Sequence, residues 1–185
     1  NIIKIEKIFD KLFPISRSIT GPGFKKSINI IKKYMDLKVI KVPSGKKVFD
    51  WVVPHEWELH DGYIKFNNKK ILDAKLNNLS VVNFSESISQ NIDLESLKKK
   101  IHTHPKLKNA IPYVTSYYSR DWGFCMQKKD KEKLKKGKYE ILIKTSKKKG
   151  NLDYYETNLK GKSKKIFLLS TFLCHPSMAN NELRG

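Results

Sequence analysis

Arginine, cysteine and long apolar runs are what this 185-residue chain has least of. Two cysteines, Cys125 and Cys174, lie far apart in different settings, which excludes a disulfide framework and a paired-cysteine zinc site. No stretch approaches the ~18 consecutive apolar residues of a membrane span, and charges are scattered through the first thirty residues where a signal peptide would be apolar. A soluble cytoplasmic protein with reduced thiols is the expectation. Only three arginines stand against thirty-five lysines. A formal charge of +20 would draw phosphate backbones, yet specific readout favours the guanidinium fork, so arginine poverty speaks against a specific nucleic-acid partner. Abundant lysine, isoleucine and asparagine together also fit a general compositional bias. What is present, 39% hydrophobic residues and 11% aromatics, is enough for a core and unlike a disordered polycation.

Ile2, Ile5, Ile8, Phe9, Leu12 and Phe13 recur at helical spacing before Pro14. A second amphipathic helix follows Gly21-Pro22-Gly23, with Phe24, Ile28, Ile31 and Met35 on one face, and the Ser16–Thr20 loop between them offers side chains to cap it. From Leu37 the period becomes two. Short β segments over 48–53, 58–66 and 79–84 are separated by turn residues. Asp93 predicts the N-cap of a helix at 94–101, and a lysine-rich helix is predicted from Lys128 to Lys136. Strands are predicted at 139–145 and 151–159. The unbroken apolar run Ile166–Leu173 predicts a strand buried on both faces, as in the middle of an α/β sheet.

Ligands gather beyond the carboxyl ends of such strands, so Cys174-His175-Pro176-Ser177 is the favoured location for a site. His175 reads equally well as a zinc ligand, with Glu182 supplying a carboxylate, or as a hydrogen-bonded histidine in a packed turn. His102 and His104 read as surface residues, and His55 and His60 as packing or hydrogen-bonding residues. A Cys174–His175 dyad is disfavoured because neighbours on a strand point to opposite faces. Tyr117, Tyr118 and Trp122 belong to an aromatic stretch that reads as core or as a ligand cleft. No phosphate-binding loop or dinucleotide fingerprint occurs.

Several blocks, in order, resemble one bacterial family: Arg17-Ser18-Ile19-Thr20-Gly21, Pro43-Ser44-Gly45, Val48-Phe49-Asp50-Trp51, Val53-Pro54-His55-Glu56-Trp57, the stretch from Pro112-Tyr113 to Tyr117-Tyr118, Trp122-Gly123-Phe124-Cys125 and Cys174-His175-Pro176-Ser177. These are the DUF4910/DUF2172 zinc aminopeptidase-like proteins, related to the M28 metallopeptidases and often associated with polysaccharide-biosynthesis loci. The resemblance implies an α/β, M28-like peptidase core, truncated at its C-terminus, with a small β-rich domain inserted. Residues 1–42 would begin the core, 43–118 would be the insertion, and 119–185 would return to the core sheet. It implies zinc, one or two ions, with His175, Asn181 and Glu182 at the metal positions, and a general-base glutamate beyond Gly185. Arg17 would anchor a substrate carboxylate, and Tyr117, Tyr118 and Trp122 would line the pocket. The partner would be a peptide or a small molecule bearing an aminoacyl or amide group, with no membrane and with homo-oligomer formation left open. The family motif commonly runs Asn-Asp-Asn-Leu-Ser-Gly, where this chain has Asn180-Asn181-Glu182-Leu183-Arg184-Gly185. An amide at 181 cannot bridge two dications as a carboxylate does. The expectation is therefore an N-terminal part of a hydrolase, inactive by itself; the alternative is a non-catalytic binding module, either a pseudo-peptidase or a lysine-driven nucleic-acid binder.

Overall fold

The structure, a computed structural model, describes residues 2–177, with side chains from residue 5 onward. In chain order the described elements are α1 (Ile2–Leu12), α2 (Pro22–Ile31), β1 (Lys38–Pro43), β2 (Lys47–Val48), β3 (Trp51–Val52), β4 (Glu56–Phe66), β5 (Lys69–Asp73), β6 (Ile88–Asp93), α3 (Leu94–Lys99), β7 (Ile101–His102), β8 (Phe124–Cys125), α4 (Lys128–Glu132), β9 (Lys138–Lys148) and β10 (Asn151–Glu156). This is a mixed α/β chain. It divides into two compact units, one formed by residues 1–56 with 147–185 and the other by residues 57–146.

In the first unit, α1 and α2 flank the buried Ile15–Gly21 loop, and β1 pairs antiparallel with β10, Val39 opposite Tyr155 and Pro43 opposite Asn151. That pairing and the β2–β3 hairpin keep residues 43–56 with the first compact unit, whose division from the second falls at 56/57; the insertion implied by the resemblance would begin at 43. The turn after β1 has the Lys46 N–H donating to Pro43 O, with Gly45 at φ +89°, the left-handed position that such a turn gives to glycine. Pro22 occupies the first turn of α2, where its missing N–H costs nothing. The expected side-chain cap is absent: Gly21 precedes the helix and Thr20 Oγ1 donates instead to His55 O at 3.0 Å.

The second unit is built on a four-stranded sheet ordered β5-β4-β9-β6. Period-two alternation along β9 turns Tyr139, Ile141 and Ile143 inward, onto Ile64, Leu97, Ile101 and Phe124. Each such side chain contributes about 1.5–3 kcal/mol by leaving water. The outward Glu140 accepts from Tyr63 Oη at 2.7 Å and Lys65 Nζ at 2.9 Å. Asn67 and Asn68, both at positive φ, close the two-residue β4–β5 hairpin as asparagine does readily. Asp93 caps α3 as predicted, accepting from Ser96 N at 2.9 Å. Residues 80–84 are buried but form only single bridges, Val81 with Phe124 and Asn83 with Thr115, where a strand was expected over 79–84.

The largest departure is at Ile166–Leu173. Instead of a doubly buried strand, the segment has no β partner among the described residues, and Ile166, Phe167, Leu168 and Leu169 are 88–92% exposed. Apolarity qualifies a segment for a central strand, but burial needs flanking strands, and no described strand pairs with it.

Candidate functional site

His175 lies in a turn docked against the loop between the first two helices. Arg17, 3% exposed, donates from Nε to His175 O at 3.1 Å and from one terminal nitrogen to Leu12 O at 2.7 Å and Ser27 Oγ at 3.2 Å. Ser27 Oγ in turn donates to Gly23 O at 2.9 Å, at a glycine where any Cβ would run into Ser16 O. Pro176 is fully buried, and Ser177 Oγ donates to Phe13 O at 3.1 Å. A planar guanidinium thus ties the end of α1, the second turn of α2 and the His175 backbone into one knot.

The His175 ring meets Phe172 edge-on at 5.1 Å, and its Nδ1 lies 3.4 Å from Cys174 Sγ. The strand-alternation argument against a Cys174–His175 contact therefore fails, because this segment is not a strand. Burial, and then the positive charge of Arg17, lower the His175 pKa. The imidazole is neutral at pH 7, the form that can ligate a metal.

The other sequence candidates sit in the second unit. Tyr117 meets Phe84 edge-on, shares a 2.7 Å hydroxyl contact with Tyr113, and stands 6.4 Å from the ring of Tyr118, which is exposed. Phe84 stacks on Trp57, whose Nε1 donates to Ser85 O at 3.0 Å. Trp122 packs edge-on against Phe124 of the core, under the Lys100 ammonium that also pairs with Asp121. Among the remaining histidines, His104 Nδ1 accepts from two backbone N–H groups and His60 Nε2 contacts Ser146 Oγ. Asn181 and Glu182 lie outside the described residues.

Residues 6–185 match the family described as a domain of unknown function, DUF4910. The chain belongs to the DUF4910 family. It is 42% identical over 184 residues to a Clostridium acetobutylicum protein named "Putative polysaccharide biosynthesis protein with aminopeptidase-like domain", an alignment covering 98% of this chain and 42% of that protein. A crystal structure of a putative peptidase from Clostridium acetobutylicum matches with a TM-score of 0.88 at 42% identity, over 96% of this chain and 42% of that one. The DUF4910 chain thus spans less than half the length of either relative.

Zinc, which the family resemblance implies, needs three or four converging donors. Among the described residues of this DUF4910 chain no three His, Cys, Asp or Glu side chains converge. A neutral, backbone-anchored imidazole at His175 fits one coordination position; the described residues do not complete the set.

One residue that sequence reasoning passed over is Glu56, quoted only as part of a motif. It is 4% exposed, accepts from Lys25 Nζ at 2.5 Å and Asn151 N at 3.2 Å, and presses against Gly150, where a Cβ would collide with it. No local signal marks it, since its partners are 31 and 95 residues away.

Proposed function

We propose that this chain is the N-terminal part of an aminopeptidase-like hydrolase, with an M28-like core, that cleaves an N-terminal aminoacyl or related amide bond. The observation that carries this reading is the match of nearly the whole chain, in sequence and backbone, to relatives whose names specify an aminopeptidase-like domain and a peptidase. In this reading His175 is the first zinc ligand. Zinc, when bound, would supply a water of lowered pKa as nucleophile. The chain's own contribution is to keep the imidazole neutral through burial and the Arg17 charge, and to hold its backbone through the Arg17 guanidinium. The substrate would be a peptide or an aminoacyl or amide-bearing small molecule. Asn181 in place of an acidic residue favours one rival, a pseudo-peptidase that binds without turnover.

Zinc content and hydrolysis of aminoacyl amides, measured on the full-length protein and on His175→Ala, test the reading. Expected is loss of zinc stoichiometry and of turnover in the variant. Zinc retained with turnover intact in His175→Ala overturns the site. Zinc bound by the unaltered protein without turnover, restored by Asn181→Asp, supports the pseudo-peptidase.

A further inference from the structure

Helix α2 carries Lys25 and Lys26 and no acidic residue, and Lys32 and Lys33 follow directly at its C-terminal end. Lys26 and Lys33, seven positions apart, stand two turns from one another on the same side. On α3 Lys98 pairs with Glu95, and after α4 Lys133 pairs with Asp130. The counter-charge that reaches this face is Glu56, which also lines the groove; its one ion pair is with Lys25, while the Lys148 charge acts on it without pairing. Lys26 and Lys33 remain, joined by Lys148 at the end of β9, and no ion pair involves any of these three among the described residues. All line a groove of about 480 Å3 within the first unit, together with Asn29 and the apolar Ile30.

We propose that this lysine-walled groove binds a diphosphate-bearing small molecule. Three ammonium groups around one concavity ask for a ligand with several negative charges on adjacent groups, since a single carboxylate would neutralise one of them. Lysine acts here as a point charge for phosphate oxygens. Asn29 adds amide hydrogen-bonding capacity, and Ile30 an apolar wall for the organic part of the ligand. Buried Glu56 holds Lys25 at one edge. The proposal does not depend on His175.

Pyrophosphate titrated calorimetrically into the protein at about 0.15 M NaCl, where long-range attraction is largely screened, is the test. Expected is one saturable site per chain, weakened about fivefold or more by Lys26→Gln combined with Lys148→Gln. The control pair Lys106→Gln with Lys162→Gln, both exposed and outside the groove, should change affinity less than about twofold. Glucose 1-phosphate, with one phosphate, should bind at least about fivefold more weakly than pyrophosphate. Equal weakening by both pairs, or binding that never saturates, would show that the +20 field alone attracts the anion and would overturn the site. Equal affinity for the two probes would overturn the diphosphate assignment.

Discussion

Glu56 is where a single side chain has the most to lose. Burial pushes its pKa up, but the Lys25 hydrogen bond, the Asn151 N–H and the charges of Lys25 and Lys148 outweigh that and hold it below the usual carboxylate value. A carboxylate with a lowered folded pKa contributes stability that is present above its unfolded pKa of about 4.5 and is lost as pH falls through the folded value. Replacing it by glutamine should therefore cost about 1–2 kcal/mol at pH 7, with the gap to the unaltered protein closing as the solution is acidified. Urea unfolding at pH 7 and at pH 3 checks both halves, and a gap that stayed constant with pH would show that shape, not charge, is what Glu56 provides. Arg17 teaches the same lesson about legibility. The resemblance assigns it to a substrate carboxylate; in the structure its Nε and one terminal nitrogen donate to the His175 carbonyl, 158 residues away, to Leu12 O and to Ser27 Oγ. Nothing in a local window announces such a partner.

At the scale of elements, the run Ile166–Leu173 matters most. Helices and strands whose signals are local were legible: α1 and α2 from their apolar stripes, β9 from its alternation, α3 from Asp93. The 166–173 run carries an equally clear pattern and yet is exposed, because a doubly buried strand is specified by its neighbours and not by its own residues. Four consecutive side chains near 90% exposure make a sticky surface. Phe167→Glu with Leu169→Glu should accordingly lower concentration-dependent self-association, read by sedimentation or light scattering. The unfolding free energy should move by less than about 0.5 kcal/mol, since exposed side chains contribute little to it. A larger loss of stability would mean that these side chains pack against something in solution.

For the molecule as a whole, the balance of charge sets the behaviour. Thirty-eight basic residues face eighteen acidic ones, and the ion pairs formed, such as Lys38–Glu156 and Lys75–Asp61, are mostly exposed and individually weak. Net self-repulsion should dominate. Raising NaCl from about 0.02 M to 0.15 M is expected to raise the melting temperature by roughly 2–4 °C for each kcal/mol of repulsion screened. Calorimetric melting at the two salt concentrations decides this; a fall in Tm would mean that the ion pairs outweigh the repulsion. No helix among the described residues is long and apolar enough to cross a membrane.

Residue order alone determined the local pieces of this protein: the two leading amphipathic helices, the turn at Gly45, the alternation of β9, and the block pattern that relates the chain to its family. These depend on contacts within a few positions, where periodicity and turn chemistry act directly. Tertiary structure alone decided that residues 57–146 form their own compact unit, that Arg17 donates to Leu12, Ser27 and the His175 carbonyl, that Cys174 touches His175, and that Glu56 is buried against Lys25. Each of those facts depends on which distant segment comes to lie alongside, and burial, ion pairing and ring contacts are properties of that neighbour as much as of the residue itself.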